Sequence, residues 1–472
     1  MPTGTNPSPH LELAPIAGTA MPSVALAEAL RRAVRDGRLP AGSRLPPSRG
    51  LADQLGVSRG VVVRAYEQLV AEGYLRSRTG SGTVVGHVHV PPAAPVVPSR
   101  PYVPANPGVP ALGWFPRTEW LRAAETAVRE ATDRELGYGD PRGHPRLRRA
   151  LAAYLGRTRA VVAPPDQVVV TAGFAQGARL VAEALARHGV DEVGVEDPGS
   201  AGVVATLRAG GVRTAAIPVD ADGIRVDALA AGDLRAVLVT PAHQFPTGAV
   251  LTPARRAALL AWADERDAVV VEDDYDAEYR YDRSPVGALQ GLRPDRVVHG
   301  GSVSKSLAPG LRLGWLVAPA WLLGTLVEVK HHADIAAPVL EQLTLAVFLE
   351  SGGLDRHVRR TAVHYAARRA HLLTAVERHL PGWRATGVAA GLHAVVVPPR
   401  PLAADVLDAM VAASGDVGVV PLAAFAHGGG HRGAHVSGLV VGYGDVARDQ
   451  LDRGLAAMAA ALGGRRPASP RA

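Results

Sequence analysis

A chain of 472 residues, 47% of them hydrophobic, is long enough to bury one large core and leave room for a second domain. The absence of cysteine excludes disulfides, thiolate chemistry and cysteine metal sites, and agrees with a reducing cytoplasm. No apolar run approaches the roughly 18 residues of a membrane helix, Met1 to Leu13 lack the layout of a signal peptide, and a net charge of +7 makes an anionic partner plausible.

Residues 1–20 are rich in Pro, Thr and Gly and read as a loose arm. From Ser23, the residues Val24, Leu26, Ala27, Leu30, Ala33 and Val34 follow a helical period that Gly37 stops. Ser48 is placed to cap a short helix carrying Leu51, Ala52 and Leu55. After the turn at Gly56-Val57, Ser58 is placed to cap a longer helix reaching about Glu72, with Val62, Ala65, Tyr66 and Leu69 inward. Gly73 to Arg78 and Thr83 to Val85 flank Thr79-Gly80-Ser81-Gly82 as a hairpin.

Short helix, glycine turn and longer helix make a helix-turn-helix, and the start of its second helix carries Arg59, Gly60 and Arg64. Residues 1–90 hold ten arginines against six acids, so this part is basic. A helical protein-interaction module is the other reading of the same pattern. Leu45 to Arg59 and Ala65 to Tyr74 resemble the GntR winged helix. That resemblance implies contacts to a double-stranded DNA operator from Arg49, Ser58, Arg59 and the wing at Gly80 and Gly82, and the helix-turn-helix and basic-wing reading adds Gly60, Arg64 and Arg78, over a domain of residues 21–86. Gly60 departs from the polar residue often found there. Residues 87–112, with their repeated prolines, predict a stiff linker.

Residues 113–465 form one large domain in which helical segments alternate with short apolar runs. Val168 to Val170, Glu192 to Val195, Ala236 to Val239, Val269 to Val271 and Val297-Val298 read as strands, with helices Phe174 to Arg187 and Pro253 to Arg266 between them. The alternation predicts an α/β fold with a mostly parallel sheet. Gly173, Phe174 and Ala175 open a helix after the first strand, and helix N-termini bind phosphate through free N–H groups.

Only two of the 51 basic residues are lysine, Lys305 and Lys330. Arginine stays protonated, whereas a desolvated lysine loses its proton and attacks an aldehyde. Lys305 follows the apolar strand ending at Val298, and ligands of open α/β sheets sit at such carboxyl ends. Ser302 and Arg312 flank it and can hold a phosphate. The penicillin-binding reading of Ser302-Val-Ser-Lys305 lacks its companion Ser-Asp-Asn and Lys-Thr-Gly motifs. The run Val269 to Val271 ends in Glu272-Asp273-Asp274-Tyr275, where a carboxylate can pair with a pyridinium nitrogen and Tyr275 with a phenolic oxygen. An acidic strand-to-loop junction is the plainer alternative.

The runs Glu272 to Tyr281 and Ser304 to Trp315 resemble the fold-type-I aminotransferases that use pyridoxal phosphate, specifically the MocR-type regulators. That resemblance implies a winged helix fused to an aminotransferase-like domain. It makes Lys305 the Schiff-base lysine and Asp273 the pyridinium partner. It adds Tyr275, Arg312, Ser302, Ser304 and the Gly173 to Ala175 turn to the cofactor set. His243, in the His-Gln-aromatic-Pro-Thr-Gly loop, is expected to be a cofactor-loop residue, since no second metal ligand has suitable local spacing. Tyr138 is expected to reach a partner subunit's phosphate site. His331-His332 beside Lys330 reads as a solvated helix face, and His427 with His431 as part of a flexible loop; no metal site is expected.

Two positions depart from the family. Ser200 stands where a ring-stacking tyrosine is usual, and Val440 where aminotransferases carry the arginine that grips a substrate carboxylate. The expectation is a cytoplasmic homodimeric transcription regulator whose effector is pyridoxal phosphate itself or an amine displacing Lys305, with little physiological enzyme activity. An aminotransferase carrying a DNA-binding arm is the alternative.

Overall fold

The computed structural model describes residues 19–78, 82–88, 107–282, 286–428 and 437–463. Most of the arm, most of the proline-rich segment, Gly80 and His431 lie outside them. The chain divides into two units, Met1–Pro101 and Tyr102–Ala472.

In the first unit, helices α1 (Pro22–Arg35), α2 (Ser48–Leu55) and α3 (Arg59–Ala71) precede the hairpin of β1 (Leu75–Arg78) and β2 (Gly82–Val85). The apolar faces expected from the helical period meet in one core of Leu26, Leu30, Leu51, Val62, Ala65 and Leu69. Tyr66 reaches the same core and donates its hydroxyl to the Pro46 carbonyl at 2.9 Å. Two expected caps are not made. The Pro47 carbonyl accepts the first helical bond, from Leu51, which puts Ser48 inside α2 rather than at its cap. Ser58 does precede α3, yet its side chain makes no capping bond; its backbone carbonyl accepts from Val61 instead.

The second unit is built on an eight-stranded sheet. Its strands are β3 (Val168–Thr171), β4 (Glu192–Asp197), β5 (Arg213–Asp220), β6 (Gly223–Ile224), β7 (Ala236–Val239), β8 (Val269–Asp274), β9 (Val297–Ser302) and β10 (Gly314–Val317), in the order β3-β10-β9-β8-β7-β4-β5-β6. The five expected strands are present. All four residues of β3 and of β7 are buried, as continuous apolar runs covered on both faces require. β4, β5, β7, β8 and β9 pair in parallel, whereas β10 runs antiparallel between β3 and β9.

Helices α4 (Arg117–Glu130), α5 (Pro145–Arg159), α6 (Phe174–Arg187), α7 (Ala201–Ala209), α8 (Val226–Ala230), α9 (Pro253–Glu265), α10 (Ala320–Asp334), α11 (Val339–Glu350) and α12 (Gly353–His379) belong to this unit. A four-stranded antiparallel sheet follows, made of β11 (Arg384–Thr386), β12 (His393–Val397), β13 (Val419–Pro421) and β14 (Leu439–Gly442) in the order β11-β12-β14-β13. It shares a core with α12, α13 (Ala404–Ala413) and α14 (Arg448–Gly463), including Leu372, Met410, Val441 and Met458. Among the described residues no helix is long and apolar enough to cross a membrane.

Lys330, on α10, differs from the two histidines that follow it. His331 and His332 are exposed, but the Lys330 side chain is fully buried and bonded to Asp334 at 2.7 and 2.9 Å. The helical period turns position 330 inward beside Leu326 and Val329 while its neighbours face out.

Candidate functional site

The carboxyl ends of the parallel strands converge on one cavity of about 300 Å³. Four of the five parallel strands deliver a polar group as the apolar run stops: Glu196 from β4, Thr240 after β7, Asp273 from β8, and Ser302 from β9 with Lys305 just beyond it. Phe174, Ala175, Ser304, Tyr275 and Arg312 also line it.

Burial lowers the Lys305 amine below the ordinary lysine range, opposed in part by the charges of Asp276 and Asp273. Burial likewise raises Asp273 well above the ordinary carboxylate range; neighbouring Asp274 adds to this and Lys305 works against it. Asp273 Oδ1 is buried with no hydrogen-bond partner. A cationic N–H donor in the cavity would satisfy that oxygen and restore the carboxylate, which is what a protonated pyridine nitrogen offers.

The phosphate end is equally specific. Gly173 has φ +83°, and a Cβ there would sit 3.0 Å from the Arg312 guanidinium, so only glycine lets α6 begin this close. Arg312 donates from Nη2 to the Ala172 carbonyl. The Ser304 N–H reaches Ser302 Oγ at 3.3 Å. Helix N-terminus, arginine and hydroxyls together form an anion cradle. The residues present therefore fit pyridoxal phosphate at both ends.

Other expected residues are placed differently. His243 does not line the cavity. It is buried behind Tyr275, whose hydroxyl donates to the His243 carbonyl at 2.9 Å and lies 3.0 Å from Nδ1. The same Nδ1 lies 2.9 Å from Asp276 Oδ2. The fold also brings His393 near, so that ligand atoms of His243, Asp276 and His393 lie within 4.8 Å of one another, a cluster that local spacing could not reveal. His243 Nδ1 and His393 Nε2 are already engaged, the latter 3.1 Å from the Pro246 carbonyl, and the group reads as a hydrogen-bonded support for Tyr275. Tyr138 is 92% exposed and outside this chain's cavity.

Ser200 lines the cavity and accepts from Val203 N at 3.4 Å, capping α7; the aromatic walls are Phe174, Phe245 and Tyr275. Val440 is buried among Val395, Leu422 and Phe425, and Phe425 meets Phe245 edge-on at 5.2 Å. Glu196 was not expected as a site group. Burial raises it to about 7, against hydrogen bonds from Thr240 and Gln244.

In the small unit, Arg49, Ser58, Arg59, Gly60 and Arg64 are all placed around the start of α3, and Arg49, Ser58, Arg59 and Gly60 are exposed there. Arg59 Nε reaches Ser48 Oγ at 3.4 Å. A Cβ on Gly60 would meet only Ser58 Oγ, at 3.9 Å, so packing does not demand glycine there. Arg78 pairs with Gly82 at the end of the hairpin, and Gly82 has φ +85°.

Residues 113–429 match the class I and II aminotransferases, and residues 22–85 the bacterial regulatory proteins of the gntR family. The chain is 34% identical over 430 residues to the HTH-type pyridoxine biosynthesis transcriptional regulator PdxR of Corynebacterium glutamicum, covering 90% of this chain and 92% of that protein. The probable rhizopine catabolism regulatory protein MocR of Rhizobium meliloti is 33% identical over 385 residues, covering 76% and 78%. Among solved structures, the α-aminoadipate aminotransferase LysN of Thermus thermophilus, complexed with N-(5'-phosphopyridoxyl)-L-leucine, aligns with a TM-score of 0.66. It is 27% identical and covers 77% of this chain and 92% of that one.

Proposed function

Since the chain belongs to the class I and II aminotransferase family and joins that domain to a gntR-family regulatory domain, we propose that it is a MocR-type transcription regulator that binds double-stranded DNA and takes pyridoxal phosphate as cofactor or signal. The observation that carries this reading is the pairing of a deprotonation-prone Lys305 with an orphaned, buried Asp273 in one cavity. When bound, pyridoxal phosphate supplies an electrophilic aldehyde carbon and a ring that accepts electron density.

The residues divide the work by chemistry. Lys305, its proton weakened by burial, presents a nucleophilic amine. Asp273 holds a proton on the ring nitrogen, Tyr275 is oriented by His243 to meet the phenolic oxygen, and the Gly173 to Ala175 turn with Ser302, Ser304 and Arg312 takes the phosphate. Arg49, Ser58, Arg59, Arg64 and the wing meet DNA, with Gly60 close to the backbone. Ligand binding biases DNA affinity by favouring one of two arrangements of the chain.

The effector in this proposal is pyridoxal phosphate itself. The strand position at 440 is apolar, which removes from β14 the cation that would grip an amino acid's carboxylate. The exposed Tyr138 serves a second subunit's phosphate, making the working form a cytoplasmic homodimer.

The test is the visible absorption spectrum of wild type and Lys305→Ala with pyridoxal phosphate, read beside a DNA mobility-shift titration. Wild type should gain a visible band and change its DNA affinity, while Lys305→Ala gains no band. Two colourless, identical titrations would remove the cofactor from the reading.

A further inference from the structure

The second lysine has no part in the chemistry above, yet its amine is fully buried. Taking an ammonium out of water costs several kcal/mol unless it is closely paired, so its partners indicate what it serves. Lys330 Nζ donates to both oxygens of Asp334, one turn further along α10. Asp334 Oδ2 also accepts from Gln176 Nε2 at 2.7 Å. Gln176 Oε1 in turn accepts from the Ala172 N–H at 2.7 Å. On the other side of the same residue, the Ala172 carbonyl accepts from Arg312. The chain that enters Gly173, and with it α6, is held through both polar groups of Ala172.

We propose that Lys330 is a positioning residue for the cofactor's phosphate, acting through Asp334 and Gln176 on the Ala172–Gly173 turn; this rests on the reading of that turn as a phosphate cradle. The polarity of the Gln176 amide sets the direction of this network. A carboxylate only accepts, so Gln176 must give its NH2 to Asp334, which leaves its oxygen for the Ala172 N–H. Lys330 holds Asp334 in place through both carboxylate oxygens. Without Lys330, a displaced Asp334 no longer dictates which way the Gln176 amide faces. The flipped amide would set a donor against the Ala172 N–H. Gly173 sits at φ +83° and ψ 169°, a conformation available essentially to glycine alone, and depends on its neighbours to stay there.

The experiment compares equilibrium titrations of the full-length protein with pyridoxal phosphate and with pyridoxal, which lacks the phosphate. Lys330→Met and Gln176→Met should each weaken pyridoxal phosphate binding by about tenfold, the worth of one well-placed hydrogen bond, and leave pyridoxal unchanged. Gln176→Met keeps the Lys330–Asp334 pair, so it decides the matter if Lys330→Met does not fold. Wild-type affinity for both ligands, or an equal loss for both, would overturn the proposal by showing a purely structural role. A wild type that binds the two ligands equally would instead sink the phosphate cradle itself, and the inference with it.

Discussion

Asp273 and Asp274 are adjacent on β8 and meet opposite fates. Strand alternation turns them to opposite sides. Asp273 faces the cavity, where burial raises it and one oxygen lacks a partner. Asp274 faces the interior, where burial would raise it too, but Arg159 at 2.7 Å and His299 at 3.0 Å overcome that and hold it below the ordinary range. The cavity wall carries Asp273, Glu196 and Lys305 without an ion pair among the described residues, Glu196 being bonded only to the neutral Thr240 and Gln244. The layer behind it, with Arg159–Asp274–His299 and Lys330–Asp334, is matched already. Burial by itself therefore does not separate the two aspartates; an orphaned carboxylate oxygen facing a cavity does.

The comparison is broken most severely from the matched side. Arg159→Met leaves Asp274 buried with His299 alone, and should destabilise this unit by about 3–5 kcal/mol in denaturant unfolding. A loss under about 1 kcal/mol would show that His299 suffices.

The unmatched side is sharpened through pH. Glu196 titrates at about 7 in the fold against 4.5 ordinarily. A raised carboxylate contributes its stability in full below the ordinary value and loses it as pH rises through the folded one. Ligand-free wild type should therefore lose roughly 2–3 kcal/mol relative to Glu196→Gln between pH 4.5 and pH 8. A pH-independent difference between the two proteins would show that Glu196 is matched after all.

The smallest effect belongs to the exposed charges of the first unit. Arg59→Ala should leave stability within about 0.5 kcal/mol while weakening DNA binding by about 1 kcal/mol and reducing its salt dependence by about one counterion. An unchanged salt slope would place Arg59 away from the phosphates.

The β strands whose apolar runs stop at polar residues were legible in the sequence, because there the pattern and the chemistry coincide: β7 before Thr240, β8 before Asp273, β9 before Lys305. β10 was hidden inside a functional motif, and its antiparallel placement depends on pairing with β3 and β9. β5, Arg213–Asp220, carries Pro218 and lacks a continuous apolar run. The cavity-lining residues within a few positions of Lys305 and Asp273 were readable for the same reason. The place of His243 behind Tyr275 was not legible, because its partners Asp276 and His393 are distant in sequence. The burial of Lys330 was not legible beside its exposed histidine neighbours, because Gln176, 158 residues before Asp334, completes its network.

The full burial of Lys330 also bears on reagents. With arginine supplying nearly all the positive charge, a carbonyl compound scanning the folded protein finds Lys305 as the one lysine amine open to it. The background of adventitious adducts that most lysine-rich proteins would show is absent by composition. Hydride trapping and mass mapping of labelled peptides would then report a single lysine address, separate in mass from any adduct at the α-amine.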